Sequence, residues 1–319
     1  MSLGRTGRWP SIVMVAFALV APATARAVII DTLTGTGNTS APVDDPGWAN
    51  VGYRGIGTGV YVGNRWVLTA SHVWSGSIVL GGGTYALDPG TEVTLTNNGA
   101  PGKSTFTDLV LYHLASDPGL PTLSIAASTP ADGTDVTMIG AGRDRGAFTT
   151  WNVNTGTIPW IWTSPGTSAG GYAELSSRAM RWGTNQTSGT GWIAYDLDGG
   201  GVKDVKAVAT TFNFSGTPSN EAQAAVGDSG GAMFVKNGAN WELAGMMLVT
   251  DAFSGQPGFT AVYGNSTYMA DLSYYRPQIL AVVVPEPGTC GVAAIGVLAL
   301  FGVAARRRQR PRRDPAVAR

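Results

Sequence analysis

The sequence predicts an all-β protein whose short strands curl into barrels or a sandwich. Two observations carry that expectation. From about Val28 to Val284, apolar runs of strand length are cut every few residues by Gly, Thr, Ser, Asn and Pro. Only one stretch, "TYMADLSYYRPQIL" at the end of that body, has helical spacing, and Pro277 limits it. Composition agrees: 44% hydrophobic and 13% charged residues supply a sizeable core and argue against disorder.

The runs follow one another along the chain. "GVYVG", "RWVLTA", "SIVLGG", "EVTLT" and "DLVLYHL" come first, alternating or clustered in polarity, with turn residues between them. "DVTMIG", "GWIAYD", "KAVATTFNF", "AMFVKNG" and "WELAGMMLV" form a second group. The segment "TPADG" (129–133) divides the two, giving expected units of 28–128 and 129–283. No internal repeat or long linker interrupts them. Between 142 and 219 the chain is rich in Gly, Thr and Asn and holds Trp151, Trp160, Trp162, Trp182 and Trp192. Such tryptophans either plug barrel ends or form a ligand platform, and the plug is the favoured expectation.

Both ends carry addressing signals. Residues 1–27 combine Arg5 and Arg8, the apolar run "SIVMVAFALVAPA" and a small-residue site at Ala25-Arg26-Ala27, the pattern of a cleaved signal peptide. A retained amino-terminal anchor and cleavage after Ala23 are the alternatives. The run of about 13 residues is short for a bilayer span, which needs roughly 20. At the other end, 284–313 joins Pro285-Glu286-Pro287, an apolar stretch over 288–305 and an arginine cluster from Arg306 to Arg313. As a helix that stretch is about 27 Å long, enough for a bilayer core. The arginines would stay cytoplasmic and place the body outside. This three-part order resembles the PEP-CTERM sorting signal of Gram-negative bacteria. The resemblance implies transient anchoring, processing by signal peptidase and an exosortase, and release or a surface and matrix location. Without the tail the body is mildly acidic, which argues against a nucleic-acid partner. The single cysteine, Cys290, lies in the tail, so the body contains no disulfide.

With two histidines in the chain the search for a catalytic base is short. His72, in "RWVLTASHVWSG", follows an apolar strand at its mouth. His113, inside "DLVLYHL", shares a strand face with Leu109 and Leu111 and reads as structural or surface-exposed. Asp108 stands where that strand begins. Ser229 lies in "EAQAAVGDSGGAMF", whose small neighbours permit close approach of backbone and substrate. A serine nucleophile needs such a base, a carboxylate to hold it, and backbone donors for an oxyanion. Each piece alone is weak, since "GDSG" can be any turn.

Together, "LTASH", "TDLVLYHL" and "GDSGG", in the order His, Asp, Ser, resemble the chymotrypsin/trypsin-like serine proteases. The resemblance covers about residues 45–280. It implies two six-stranded antiparallel Greek-key barrels with the active site between them and a short C-terminal helix. It implies a monomeric endopeptidase acting on protein or peptide, with no cofactor. Ser229 would attack, His72 would carry the proton, Asp108 would orient His72, and the N–H groups of Gly227 and Ser229 would bind the oxyanion. Asp228 would be structural. Its counterpart in the family pairs with an amino terminus made by cleavage, a role Val28 would take after signal removal. Gln223, six residues before Ser229, would floor a pocket without negative charge, with Glu221 nearby. Leu248, Val249 and Thr250 would form the strand edge beside substrate, Thr250 narrowing the entrance. The 121 residues from Asp108 to Ser229 are long for the family and imply an insertion within 142–219. A non-catalytic extracellular-matrix binding module on the same fold is the alternative.

"YDLDGGGVKD" places Asp196, Asp198 and Asp204 around glycines, reminiscent of a calcium loop. Ala207 stands where the closing carboxylate belongs, so a glycine-rich hairpin turn is expected. Only His72 and His113 offer imidazole, and no residue cluster suits zinc or another metal.

Overall fold

The computed structural model describes residues 28–32, 35, 37–214 and 219–284. The expected signal segment 1–27, the apolar stretch 288–305 and the arginine tail lie outside these. Among the described residues no helix is long and apolar enough to cross a membrane.

The fold is all-β, as expected, with one C-terminal helix. The first unit is a seven-stranded antiparallel sheet, one strand more than expected. Its ladder runs Gly83–Tyr85, Ile78–Leu80, Val51–Arg54, Gly57–Gly63, Trp66–Ala70, Phe106–His113, Val93–Thr96. Asn64 and Arg65, both at positive φ, make the two-residue turn between Gly63 and Trp66, whose twist suits a tight hairpin. The strand Phe106–His113 is buried on both faces. Leu109 and Leu111 join the main core, whereas Tyr112 packs with Tyr61, Val67 and Leu114 in a satellite cluster.

The second unit is a closed six-stranded barrel. Its circuit is Asp135–Gly140, Arg181–Tyr195, Lys203–Thr211, Ser266–Asp271, Asn240–Thr250, Ala232–Asn237 and back to the start. One hydrophobic core serves both units, since Val51, Leu68 and Leu109 cluster with Phe234, Leu243 and Met246. Segments near both limits of the described residues add further ties. Ile29–Ile30 pairs antiparallel with Ala222–Gln223, and Val28 and Ile30 pack against Met138 and Met233 of the barrel. At the far end, the Gln278 side chain bonds both backbone groups of Thr96 in the first sheet (2.9 Å each).

The helix differs from its expectation. Residues 267–271 belong to a barrel strand, and the helix spans Leu272–Val283, passing through Pro277. Asp271 caps it, accepting from Ser273 N–H at 3.0 Å. Leu272, Tyr275, Ile279 and Val283, spaced along one stripe, are buried in the main core. Fully burying such a side chain is worth about 1.5–3 kcal/mol, enough together to offset the hydrogen bond that Pro277 removes.

The inserted material is shorter than 142–219. Arg181–Tyr195 and Lys203–Thr211 are barrel strands joined by the expected glycine-rich hairpin turn. Asp196 accepts from Gly199 N–H, Asp198 pairs with Lys203, and Asp204 with Lys103, so these carboxylates already have donors. The extra sheet comprises Ile161–Thr163, Arg143–Asn154, Ala169–Arg178 and Thr260–Val262, in that order. The tryptophans divide accordingly. Trp182 and Trp192 sit on barrel strands, whereas Trp151, Trp160 and Trp162 belong to the inserted region.

Candidate active site

His72 occupies a single 3₁₀ turn, Ser71–Val73, directly after the strand Trp66–Ala70. Asp108 stands on the neighbouring strand as its third residue, inside the strand rather than before it, and is fully buried. Ala70 pairs with Leu109, so the end of one strand is held beside the start of the other. The carboxylate is saturated. Oδ2 lies 2.5 Å from His72 Nδ1 and accepts from the Tyr195 hydroxyl at 2.9 Å. Oδ1 accepts from His72 N–H at 3.0 Å and from Ser71 Oγ at 2.6 Å. Burial pushes the Asp108 carboxyl up, but the bonds and charge of His72, with Ser71 and Tyr195, outweigh it and hold the group below its ordinary range. Burial and the adjacent Asp108 charge drive the Tyr195 phenol upward, which keeps it a donor.

Ser229 lies on a turn that is locked by backbone bonds. Its carbonyl accepts from Thr58 N–H at 2.9 Å, Gly230 N–H donates to Met247 O and Gly231 N–H to Asp228 O, both at 2.8 Å. Gly230 has φ +82°, and a Cβ there would stand 2.1 Å from the Thr58 carbonyl oxygen. Gly227 has φ +96°. Its carbonyl accepts from Thr58 Oγ1 at 2.9 Å and from Arg178 Nη2 at 3.3 Å. The N–H groups of Gly227 and Ser229 meet no acceptor among the described residues. The Ser229 hydroxyl itself donates to the Leu248 carbonyl at 3.1 Å and not to His72. Serine and histidine nevertheless line one cavity of about 330 Å3, with Gly227, Leu248, Val249 and Thr250.

The trypsin family's sequence profile matches residues 35–272. The chain belongs to the trypsin family. In solved structures this trypsin-family chain is similar to the inactive form of the protease Rv3671c from Mycobacterium tuberculosis H37Rv. That pair has 13% identity and a TM-score of 0.44, covering 78% of this chain and 94% of the other. A mutant of human heparin binding protein (CAP37) gives 15% identity and a TM-score of 0.47, with 79% and 98% coverage. The murine norovirus NS6 protease, an inactive mutant, gives 15% and 0.39, with 70% and 97% coverage. A search of curated proteins returns no match.

Two expected positions lie elsewhere in this trypsin-family chain. Gln223 does not reach the cavity: it is buried and strand-paired with Ile29, and Ala224, Ala225 and Val226 form that wall instead. Glu221 is also buried and lies outside the lining. Asp228 takes its bonds from Gly142 N–H (2.7 Å) and Ala225 N–H (2.8 Å), while Val28 is buried beside Ala126, Val136 and Ala224. His113 packs against Trp66, ring centroids 5.0 Å apart and planes tilted by 56°, and faces Asp88, away from the cavity.

Burial pushes Asp228 up to about 7, against the bonds from Ala225 and Gly142. A carboxyl raised in the folded state contributes stability that is complete below its ordinary value near 3.8 and is lost as pH rises through about 7. The Tm of the Ser229→Ala protein should therefore fall between pH 5 and 8. The slope should shrink when Asp228→Asn is added. A Tm that rises across that window contradicts the assignment.

Sequence reasoning missed four contributors. Arg178 ends an inserted strand and donates to the carbonyls of Ala141, Gly55, Gly57 and Gly227 at 2.9–3.3 Å. Tyr195 comes from a barrel strand, and Ile56 and Leu197 form an exposed apolar lip of the cavity. None of these carries a local motif; only the fold brings them to the site.

Proposed function

We propose that the chain is an exported serine endopeptidase that cuts peptide bonds through His72, Asp108 and Ser229. The single observation that carries this reading is the saturated Asp108 carboxylate held 2.5 Å from His72 Nδ1, in a cavity wall shared with Ser229. Asp108 fixes the imidazole with Nδ1 protonated, so Nε2 is left as acceptor. Rotation of the Ser229 hydroxyl away from Leu248 toward Nε2 lets His72 take its proton as Oγ attacks the scissile carbonyl. The free N–H groups of Gly227 and Ser229 are the donors for the developing oxyanion. His72 then delivers the proton to the leaving amine, and water hydrolyses the acyl-enzyme by the same route. No cofactor enters the scheme.

The cavity wall bears no acidic or basic side chain apart from His72. Ala224, Ala225, Val226 and Val249 favour a small or medium uncharged side chain next to the scissile bond, with Thr250 limiting its size. The exposed Ile56, Leu197 and Val226 give an apolar lip on which a polypeptide can lie. The signal-like and PEP-CTERM-like ends support export, transient anchoring, and release or retention at the surface and in the matrix. Signal peptidase and an exosortase are the processing partners.

A fluorophosphonate probe tests the reading. It should label the mature protein and leave the Ser229→Ala variant unlabelled. Labelling that persists in Ser229→Ala, or none in the wild type, overturns it.

A further inference from the structure

A cavity of about 580 Å3, larger than the one holding His72 and Ser229, opens beside the inserted sheet. Phe148, Trp160, Trp162, Phe253 and Tyr263 wall it, and no charged residue lines it. Phe148, Trp160, Trp162 and Phe253 belong to no hydrophobic core cluster of the described residues, and Phe148 is half exposed. Aromatic side chains gathered outside the core around a concavity are the usual build of a binding site.

The chemistry of the walls narrows the occupant. No charged side chain among the described residues lines the cavity, so an anion finds no partner there. Phe253 stacks with Trp160 (interplanar angle 18°) and with Trp162 (27°), each at 6.1 Å. Phe253 is thus held in a stack with both tryptophans, and the cluster forms one aromatic wall. The Thr150 hydroxyl accepts from Gly166 N–H at 3.3 Å, and the Thr167 hydroxyl donates to Asn152 at 3.4 Å. The predominantly aromatic wall suits a large hydrocarbon or aromatic group.

Its position relates it to the cleft. Thr250 lines the first cavity and Phe253 the second, three residues later in the same chain. Three residues span at most about 11 Å, the length of about three residues of an extended peptide. We propose that this cavity is a second substrate-recognition subsite, taking a bulky apolar or aromatic side chain of the polypeptide three to four residues from the bond that is cut. It rests on the endopeptidase reading, and it assigns the insertion a role in selecting substrates.

The test uses peptides that share one cleaved bond and carry Phe, Leu or Gly at successive positions away from it. For the mature enzyme, kcat/KM should be at least about tenfold higher with Phe or Leu than with Gly at one such position. Phe253→Ala and Trp160→Ala should each erase that preference and leave cleavage of the Gly peptide within about twofold. Binding of the same peptides to Ser229→Ala, read by tryptophan fluorescence, reports the subsite without any turnover. The fluorophosphonate experiment judges the catalytic reading separately. A preference that survives both aromatic substitutions, equal affinity for Phe and Gly peptides, or displacement of bound peptide by neutral oligosaccharides would overturn the subsite.

Discussion

Replacing Asp108 with asparagine is expected to lower kcat about 10⁴-fold near neutral pH, the size such a change has in triad enzymes. The geometry of this carboxylate says why. Oδ1 faces two donors, one of which, His72 N–H, is backbone and cannot turn away (3.0 Å). An asparagine must therefore aim its carbonyl oxygen at that side and its NH2 at His72 Nδ1. The NH2 donates, so Nδ1 becomes the acceptor and the imidazole proton moves to Nε2. A histidine protonated at Nε2 cannot take the Ser229 proton. Tyr195 can adapt, because its hydroxyl turns to accept where it formerly donated. The substitution conserves shape, so far-UV circular dichroism and Tm should change little while steady-state turnover collapses. A loss below about tenfold would mean that Asp108 does not set the tautomer.

How much of this was legible in the sequence follows from the kind of signal each residue carries. His72, Asp108 and Ser229 stand in motifs whose neighbours are constrained by backbone. Gly230 has no room for a Cβ, and Gly227 adopts a left-handed φ. Such constraints leave a readable string. The strand runs were legible for a similar reason, because burial on a pleated sheet forces apolar clusters between turns. A position counted back from Ser229 holds only where the loop between follows the family's usual path. Here Ala222–Gln223 is drawn into a strand pair with Ile29–Ile30, and the wall of the cavity starts one residue later. The helix begins later than its spacing predicts, because the same residues up to Asp271 also suit a barrel strand. Tyr195 and Arg178 were invisible for a different reason. Each acts through partners far along the chain, 87 residues away for Tyr195 and Asp108 and 123 for Arg178 and Gly55.

Arg178→Ala should reduce kcat about 10²-fold with KM within a few-fold of the wild type. The guanidinium spreads its donors over carbonyls from three loops: Gly55 and Gly57, Ala141, and Gly227. The last of these belongs to the peptide that joins Gly227 to Asp228, between the two proposed oxyanion donors. Thr58 Oγ1 grips the same carbonyl at 2.9 Å, and Arg143 N–H holds the preceding one, Val226 O, at 2.8 Å. Removing Arg178 leaves Thr58 and Arg143 in place, so the turn persists but is held less firmly. Donors aimed at a developing charge act through their fixed geometry, and losing one outright costs about 10²–10³ in kcat. Arg178 is a positioning residue in this scheme, touching no substrate. A purely structural role would lower Tm and kcat together and would be rescued by any cation. Arg178→Lys separates the two, because a lysine ammonium restores the charge facing Asp228 but cannot span four carbonyls. Lysine should recover most of the Tm while kcat stays depressed. The rate of fluorophosphonate labelling should fall in step with kcat, since phosphonylation of Ser229 uses the same oxyanion donors. Full recovery of kcat by lysine would show that Arg178 supplies charge alone.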